Sequence, residues 1–149
     1  MTPTQLVYDP DCGFCRVCVA VVLRWDRRRR LRAVPLRSEE ADTLLGGMPE
    51  AEQSASWHLA TAGWVPNMPE NGTNDTHPTV WSAGAAFSPL FRLLPGGAPL
   101  ARLTDRFPGA AERGYRLVAD HRSAIGRLLP GAARRWADRV ISESRRGDR

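Results

Sequence analysis

The stretch Tyr8-Asp9-Pro10-Asp11-Cys12-Gly13-Phe14-Cys15 carries the clearest structural signal in this sequence. The short apolar run Gln5 to Tyr8 predicts a buried strand, and the Asp-Pro-Asp turn signal ends it. From Cys12 to about Trp25 the apolar residues follow a helical period, and a run of arginines comes next. We therefore expect two cysteines, three residues apart, at the start of a helix that follows a buried strand.

This position gives the two cysteines a redox chemistry. Cysteine reacts as the thiolate, and the unpaired amides and the dipole of a helix N-terminus lower the pKa of a thiol. Cys12 falls at the N-cap or the first helical position, so we expect it to titrate below Cys15. Cys15 lies one turn further on the same face, within disulfide reach. The spacing predicts that Cys12 attacks the substrate and that Cys15 resolves the mixed disulfide.

Three neighbouring residues are candidates for supporting roles. Gly13 allows close approach of another backbone at the turn. Phe14 offers an apolar surface on which a substrate can dock. Arg16 brings a positive charge near both sulfurs, which favours the thiolate.

Two aspartates precede the cysteines. Asp11 is expected to cap the helix, because a carboxylate accepts hydrogen bonds from free helical amides. Asp9 ends the predicted strand and has two possible roles. It either forms the turn or accepts the proton of Cys15 when that thiol attacks.

The third cysteine, Cys18, lies on the apolar stripe of the helix and is expected to be a buried core thiol. An iron–sulfur site of this spacing needs a fourth cysteine followed by proline, which the sequence lacks. A zinc site would need His58, His77 or His121, whose positions do not require one. A hydrolytic Cys–His pair would leave Cys15 without a role. We expect no cofactor and no metal.

The remainder of the chain predicts an alternation of strands and helices. Its apolar runs, caps and breakers indicate the following elements: a strand at Leu31–Leu36 with Pro35 suggesting a sheet edge, a short helix capped by Ser38, strands at Trp57–Ala62 and Thr79–Trp81 around a long loop at 63–78, a helix at Ala83–Leu94 capped by Ser82, and helices at about 110–129 and 132–144. The first two strands are expected to pair in parallel, and the later hairpin to add an antiparallel edge.

Composition suits one compact domain. The chain has 149 residues, of which 42% are hydrophobic, and we expect a core at about 5–125 with a basic helical extension at about 126–149. No apolar run is long enough to span a bilayer, and the N-terminus does not show the basic segment followed by an apolar segment that is typical of a secretory signal. A cytoplasmic protein is therefore expected.

The formal net charge of +5 comes mostly from arginines, which concentrate at Arg27–Arg30 and towards the C-terminus. Such a distribution is compatible with a nucleic-acid or anionic membrane surface. Basic residues at a helix C-terminus also complement the helix dipole without any partner, so nucleic acid is not the expected partner.

The motif Asp9-x-x-Cys12-x-x-Cys15, after the strand Leu6-Val7-Tyr8, resembles the signature of the DCC family of thiol–disulfide oxidoreductases. The Ala85-Ala86-Phe87 segment and the stretch from Tyr115 to Arg122 agree with it, so the resemblance covers roughly residues 5–125. The resemblance implies an α/β, thioredoxin-like fold: a central mixed sheet of about four strands with flanking helices. It also implies Cys12 and Cys15 as the redox pair and Asp9 as the acid of the motif.

Three features depart from these patterns. Pro10 stands where the family usually has glycine, and the loop at 63–78 is longer than expected. Thioredoxins carry a proline facing the cysteines before their third strand, but Ala55-Ser56-Trp57 offers none.

The leading hypothesis is a thiol–disulfide oxidoreductase that acts on a protein or small-molecule substrate, with an electron donor that the sequence does not identify. Two alternatives stay open. One is a non-catalytic thioredoxin-like binding domain with a basic surface. The other is a metal-binding module built on Cys12, Cys15 and Cys18.

Overall fold

The computed structural model describes residues 3–61 and 79–146. Within these residues the chain forms four strands: β1 (Thr4–Tyr8), β2 (Leu31–Pro35), β3 (His58–Thr61) and β4 (Thr79–Ser82). The α-helices are α1 (Gly13–Trp25), α2 (Glu39–Leu44), α3 (Glu50–Ala55), α4 (Phe87–Leu93), α5 (Ala98–Arg106), α6 (Pro108–Leu128) and α7 (Gly131–Arg146). A 3₁₀ helix, Ala83–Ala86, precedes α4.

The strands form one mixed sheet in the order β2-β1-β3-β4. β1 is parallel to β2, with Val7 opposite Val34, and antiparallel to β3, with Val7 also opposite His58. β3 and β4 are antiparallel. The predicted α/β, thioredoxin-like fold is confirmed, and β2 lies at a sheet edge as Pro35 indicated. The predicted loop at 63–78 lies outside the described residues.

Alternate residues of β1 face opposite sides of the sheet and supply two cores, as the period of a strand requires. Leu6 and Tyr8 belong to the larger core, which includes residues of α1, α4 and α7. Val7 belongs to a smaller core on the other side, which includes residues of β2 and α2. Ala137 and Ile141 of α7 are buried in the larger core.

The helix predicted at Ala83–Leu94 is wrong in its first turns. Ala83 has a left-handed backbone, with φ of +53°, and the segment runs as a 3₁₀ helix before α4 begins at Phe87. Ser82 does not cap it through its side chain. Its hydroxyl instead forms a 2.7 Å hydrogen bond with His58 Nδ1. By contrast, Ser38 caps α2 as predicted, accepting from the Ala41 amide.

Helices α3 and α5 are additional to those predicted from the sequence. α3 has no buried residue and α5 buries only Ala101. α3 has six residues and α5 has nine, so both are shorter than the stretch over which an apolar period identifies a helix.

Two hydrogen bonds fix the C-terminal end of α1. The Trp25 indole Nε1 donates to the Pro95 carbonyl oxygen at 2.9 Å. The buried Asp26 carboxylate accepts from the Leu31 amide at 2.7 Å, which connects the end of α1 to the start of β2. These contacts hold α1 as a rigid carrier for the cysteines at its other end.

Helix α6 packs against the 3₁₀ helix at Gly84. A Cβ at Gly84 would lie 2.7 Å from Glu112 Cα, closer than side chains tolerate. The Gly84 amide also donates to Glu112 Oε2 at 3.0 Å. Glycine at this position therefore permits α6 to lie close to the 3₁₀ helix, where α6 forms one wall of a groove.

His58 is the most buried titratable group of the sheet. Its side chain is fully buried, Nδ1 lies 2.7 Å from Ser82 Oγ, and Nε2 lies 3.0 Å from the Gln53 carbonyl oxygen. A neutral ring fits both partners, donating from Nε2 and accepting at Nδ1. Burial lowers the pKa of His58 below its usual 6.5, although the hydrogen bond to Gln53 acts in the opposite direction.

This burial predicts a loss of stability in mild acid. The unfolded chain takes up the His58 proton below about pH 6.5, while the folded chain resists it, so the free energy of unfolding falls as pH decreases from there. We expect His58→Gln to flatten this slope and to lower stability at pH 7.5 by about 1–3 kcal/mol. Urea unfolding from pH 7.5 to 5 measures both. The exposed His121→Gln is the matched control, and an equal flattening in the control would contradict this role for His58.

Candidate redox site

Cys12 and Cys15 lie together at the N-terminus of α1. Cys12 is the N-cap residue, and its sulfur accepts a hydrogen bond from the Cys15 amide at 3.2 Å. The two residues form a disulfide, with their Cα atoms 5.2 Å apart. The predicted pair at the start of a helix is confirmed. Both residues are half-buried, so their order of reaction follows from their helical positions and stays a prediction.

Neither of the two aspartates before the cysteines caps α1 with its side chain. Asp11 was expected to cap α1, but Cys12 occupies the N-cap position. The Asp11 carboxylate instead accepts from Arg37 at 2.8 Å, in an exposed ion pair. Asp9 Oδ1 accepts from the Asp11 amide at 2.9 Å, which forms the turn between β1 and α1. Asp9 also lines the same groove as Cys15.

Arg16 has an acidic partner on the C-terminal helix. Its Nε lies 3.4 Å from Asp138 Oδ1 of α7. The positive charge that the sequence places near the sulfurs is therefore shared with a carboxylate, which reduces its field at the cysteines.

A second arginine, Arg134 of α7, lies over the start of α1. A Cβ built at Gly13 would be 3.6 Å from Arg134 Nε, an ordinary van der Waals distance. Arg134 Nη2 also donates to the Gly126 carbonyl oxygen of α6. The structure thus brings a cation close to the cysteines from a residue that sequence reasoning missed. More than a hundred residues separate them in the chain, and only tertiary packing joins them.

An apolar groove of about 450 Å³ opens beside the disulfide, between α1, α4 and α6. We call it the redox groove. Cys15 and Asp9 lie in its wall, and its aromatic lining residues are Tyr8, Phe14, Trp57, Phe87, Phe91 and Tyr115. Burial raises the pKa of Tyr115, although hydrogen bonds with the Trp57 backbone and Ser56 act in the opposite direction. Ser56 and Trp57 thus supply groove wall in the segment where thioredoxins carry the proline.

Cys18 is not the buried core thiol that the helical period predicted. Its side chain is exposed, and it lines the redox groove one turn beyond Cys15. The apolar surroundings raise the pKa of its thiol by desolvation. The apolar stripe of α1 therefore faces two environments, a buried core around Val19 and Ala20 and the open groove.

The comparison with protein families decides the assignment. The profile of the DCC1-like thiol-disulfide oxidoreductases matches residues 6–128, which include the end of β1, all of α1 and all of α6. The chain belongs to the DCC1-like thiol-disulfide oxidoreductase family. No curated protein and no solved structure gave a match.

This DCC1-like oxidoreductase shows no metal-ligand cluster in the part of the chain that the structure describes, where no three His, Cys, Asp or Glu side chains lie close enough to hold an ion. His77, one of the three histidines considered as a zinc ligand, lies outside the described residues. Within 3–61 and 79–146, no helix is both long and apolar enough to cross a bilayer.

The position of Arg134 near the start of α1 predicts that this arginine affects the reactivity of Cys12. In the reduced protein we expect Arg134→Gln to raise the pKa of Cys12, because a cation beside a thiol stabilises the thiolate. Iodoacetamide alkylation of Cys12 at pH 6, followed by peptide mass spectrometry, should slow about three- to tenfold. Arg139→Gln, an exposed change on the same helix, should leave the rate unchanged; equal rates in both variants would rule out this role.

Proposed function

We propose that this family member exchanges disulfides with thiol substrates, with Cys12 as the nucleophile and Cys15 as the resolving thiol. The observation that carries the proposal is the hydrogen bond from the Cys15 amide to the Cys12 sulfur at the N-cap of α1. The same donor can stabilise a Cys12 thiolate, and the dipole of a 13-residue helix adds to it.

In the reducing direction, the Cys12 thiolate attacks one sulfur of the substrate disulfide. The substrate S–S bond breaks, one substrate thiolate leaves and takes up a proton, and Cys12 is held in a mixed disulfide. Cys15 then loses its proton and attacks the Cys12 sulfur. The second substrate thiolate leaves, and the Cys12–Cys15 disulfide forms, so that two electrons pass from protein to substrate. Oxidation of a dithiol substrate follows the same steps in reverse.

We propose Asp9 as the group that accepts the Cys15 proton. Asp9 lines the same groove as Cys15. One oxygen accepts from the Asp11 amide, and the second oxygen of the carboxylate can accept a proton. A turn-forming aspartate and a proton acceptor are compatible roles here, because the turn uses one carboxylate oxygen and Asp9 lines the same groove as Cys15.

The surrounding residues support the exchange in this proposal. Phe14 lines the redox groove beside Cys15. Gly13 lies beneath Arg134. Arg16 and Asp11 act indirectly, through ion pairs that hold the ends of the site. A cytoplasmic location and the action of residues 1–149 as one domain stay predictions from the sequence.

The two cysteines should have separable phenotypes. Cys12→Ser should abolish disulfide exchange, whereas Cys15→Ser should still attack but accumulate the mixed disulfide, because the resolving step is lost. Insulin reduction with dithiothreitol as donor measures turnover, and non-reducing mass spectrometry measures trapped substrate. Cys18→Ser is the matched control and should retain turnover. Full turnover by Cys12→Ser would refute the proposed nucleophile.

The role of Asp9 predicts a defect confined to the second step. Asp9→Asn keeps an oxygen that can accept from the Asp11 amide but cannot take up the Cys15 proton at neutral pH. We expect release of product from the mixed disulfide to slow about 100-fold, with the first attack little changed. Rapid acid quench and mass analysis separate the two steps. A purely turn-forming Asp9 would leave both rates near those of the unchanged protein.

A further inference from the structure

Disulfide exchange by itself does not require a cavity as large and as apolar as the redox groove. Its volume of about 450 Å³ falls within the range of small-molecule binding sites. Its walls are almost entirely apolar, from aromatic rings and from aliphatic residues such as Val22, Leu90 and Val118. Because Cys15 lies in the wall, a molecule in the groove would be next to the disulfide.

Arg122 is the cationic group in this wall. It is half-buried, and within residues 3–61 and 79–146 no carboxylate lies within ion-pair distance of it. The acidic residue of the wall, Asp9, accepts one hydrogen bond from the Asp11 amide and forms no ion pair with Arg122. An arginine beside an apolar cavity, without an acidic partner, is suited to bind an anionic group of a ligand.

The helix geometry places Arg122 towards the redox end of the groove. Gly126, one turn beyond Arg122, lies against α1, and a Cβ there would be 3.6 Å from the Phe14 amide nitrogen. Four residues of α-helix rise about 6 Å, so Arg122 is about one turn from this contact. Gly114, two turns before Arg122, lies about 12 Å away along α6 towards the other end of the groove.

We propose that the redox groove binds a small thiol or disulfide whose sulfur lies beside a carboxylate, with Arg122 pairing the carboxylate and the apolar part of the molecule filling the groove towards Gly114. This inference rests on the proposed function and names its substrate class. N-acylated cysteine, in the thiol or the disulfide form, has this chemistry.

An extended peptide fits the groove less well. Its backbone amides and carbonyls would need hydrogen-bond partners, and the lining is almost without free polar groups. The Tyr115 side chain, one of the polar groups in the wall, is already bonded to Ser56 and the Trp57 backbone. A ligand with one anionic group and an apolar body leaves fewer buried polar groups unpaired.

The reaction with such a disulfide keeps the steps given above. Cys12 of the reduced protein attacks one sulfur of the bis-N-acyl-cystine, the substrate S–S bond breaks, and one N-acyl-cysteine thiolate leaves and is protonated. Cys15 then displaces the second one. Two electrons pass from the protein dithiol to the substrate, which yields two N-acyl-cysteines and the Cys12–Cys15 disulfide.

The test is single-turnover oxidation of the reduced full-length protein, followed by tryptophan fluorescence and by alkylation with mass analysis. The probes are bis-N-octanoyl-cystine, bis-N-acetyl-cystine and the carboxamide of the octanoyl compound. Each rate is divided by the rate of the same probe with free mercaptoethanol thiolate, which removes differences in leaving group. We expect the octanoyl probe to react at least about tenfold faster than the acetyl probe, and about tenfold faster than its carboxamide.

The variants assign these preferences to the groove. Gly114→Leu has open space around its new Cβ and lies in the groove wall, so it should abolish the preference for the octanoyl chain. Gly109→Leu, on the same helix outside the groove, should retain it. Val118→Trp, with the exposed Leu117→Trp as control, tests the same point independently of any folding defect at Gly114. Arg122→Gln should abolish the preference for the carboxylate, and the exposed Arg127→Gln should not.

The outcomes separate this inference from the proposed function. Equal normalised rates for all three probes would overturn the inference and leave disulfide exchange intact. A cystine peptide that reacts tenfold faster than the octanoyl probe would also overturn it, in favour of a peptide substrate. Failure of the reduced protein to react with any disulfide would instead refute the proposed function.

Discussion

The unpaired amides at the start of α1 are the constraint on which the site depends. The first turn of any helix has backbone donors without helical acceptors, and here the Cys12 sulfur accepts from the Cys15 amide at 3.2 Å. β1 ends at Tyr8, and the turn held by Asp9 places this helix end beside the sheet. The interaction that caps the helix is therefore the one that would stabilise a Cys12 thiolate in the proposed mechanism, so the local fold and the proposed chemistry have a common origin.

The C-terminal helices complete the site from outside the motif. α7 contributes Arg134 above Gly13 and the Asp138 partner of Arg16. α6 contributes a wall of the redox groove and contacts the start of α1 at Gly126. The basic C-terminal region, which sequence reasoning treated as an extension, thus supplies charge and apolar surface next to the cysteines. Ala137 and Ile141 of α7 are also part of the larger core.

What the sequence predicts well is local. The strand before the motif, the helix from Gly13 to Trp25, the Ser38 cap and the edge position of Pro35 all follow from period, capping and the missing proline donor. The features that the sequence does not predict depend on tertiary contacts. The helical period correctly places Cys18 on the apolar stripe, but no local rule tells which part of that stripe is covered by core and which faces a groove. Ser82 has a typical capping sequence, yet the buried His58 ring takes its hydroxyl.

If Cys12 and Cys15 form a reversible two-electron couple, the pair has a measurable midpoint potential. The protein would be equilibrated in dithiothreitol and glutathione buffers of graded potential, quenched with acid and alkylated, and each cysteine quantified by peptide mass spectrometry. We expect one two-electron transition shared by Cys12 and Cys15, with a midpoint between about −270 and −120 mV, the span from the reductant thioredoxin to a strong disulfide oxidant, while Cys18 stays a free thiol. A pair that does not change state across this span, or a disulfide that includes Cys18, would contradict it.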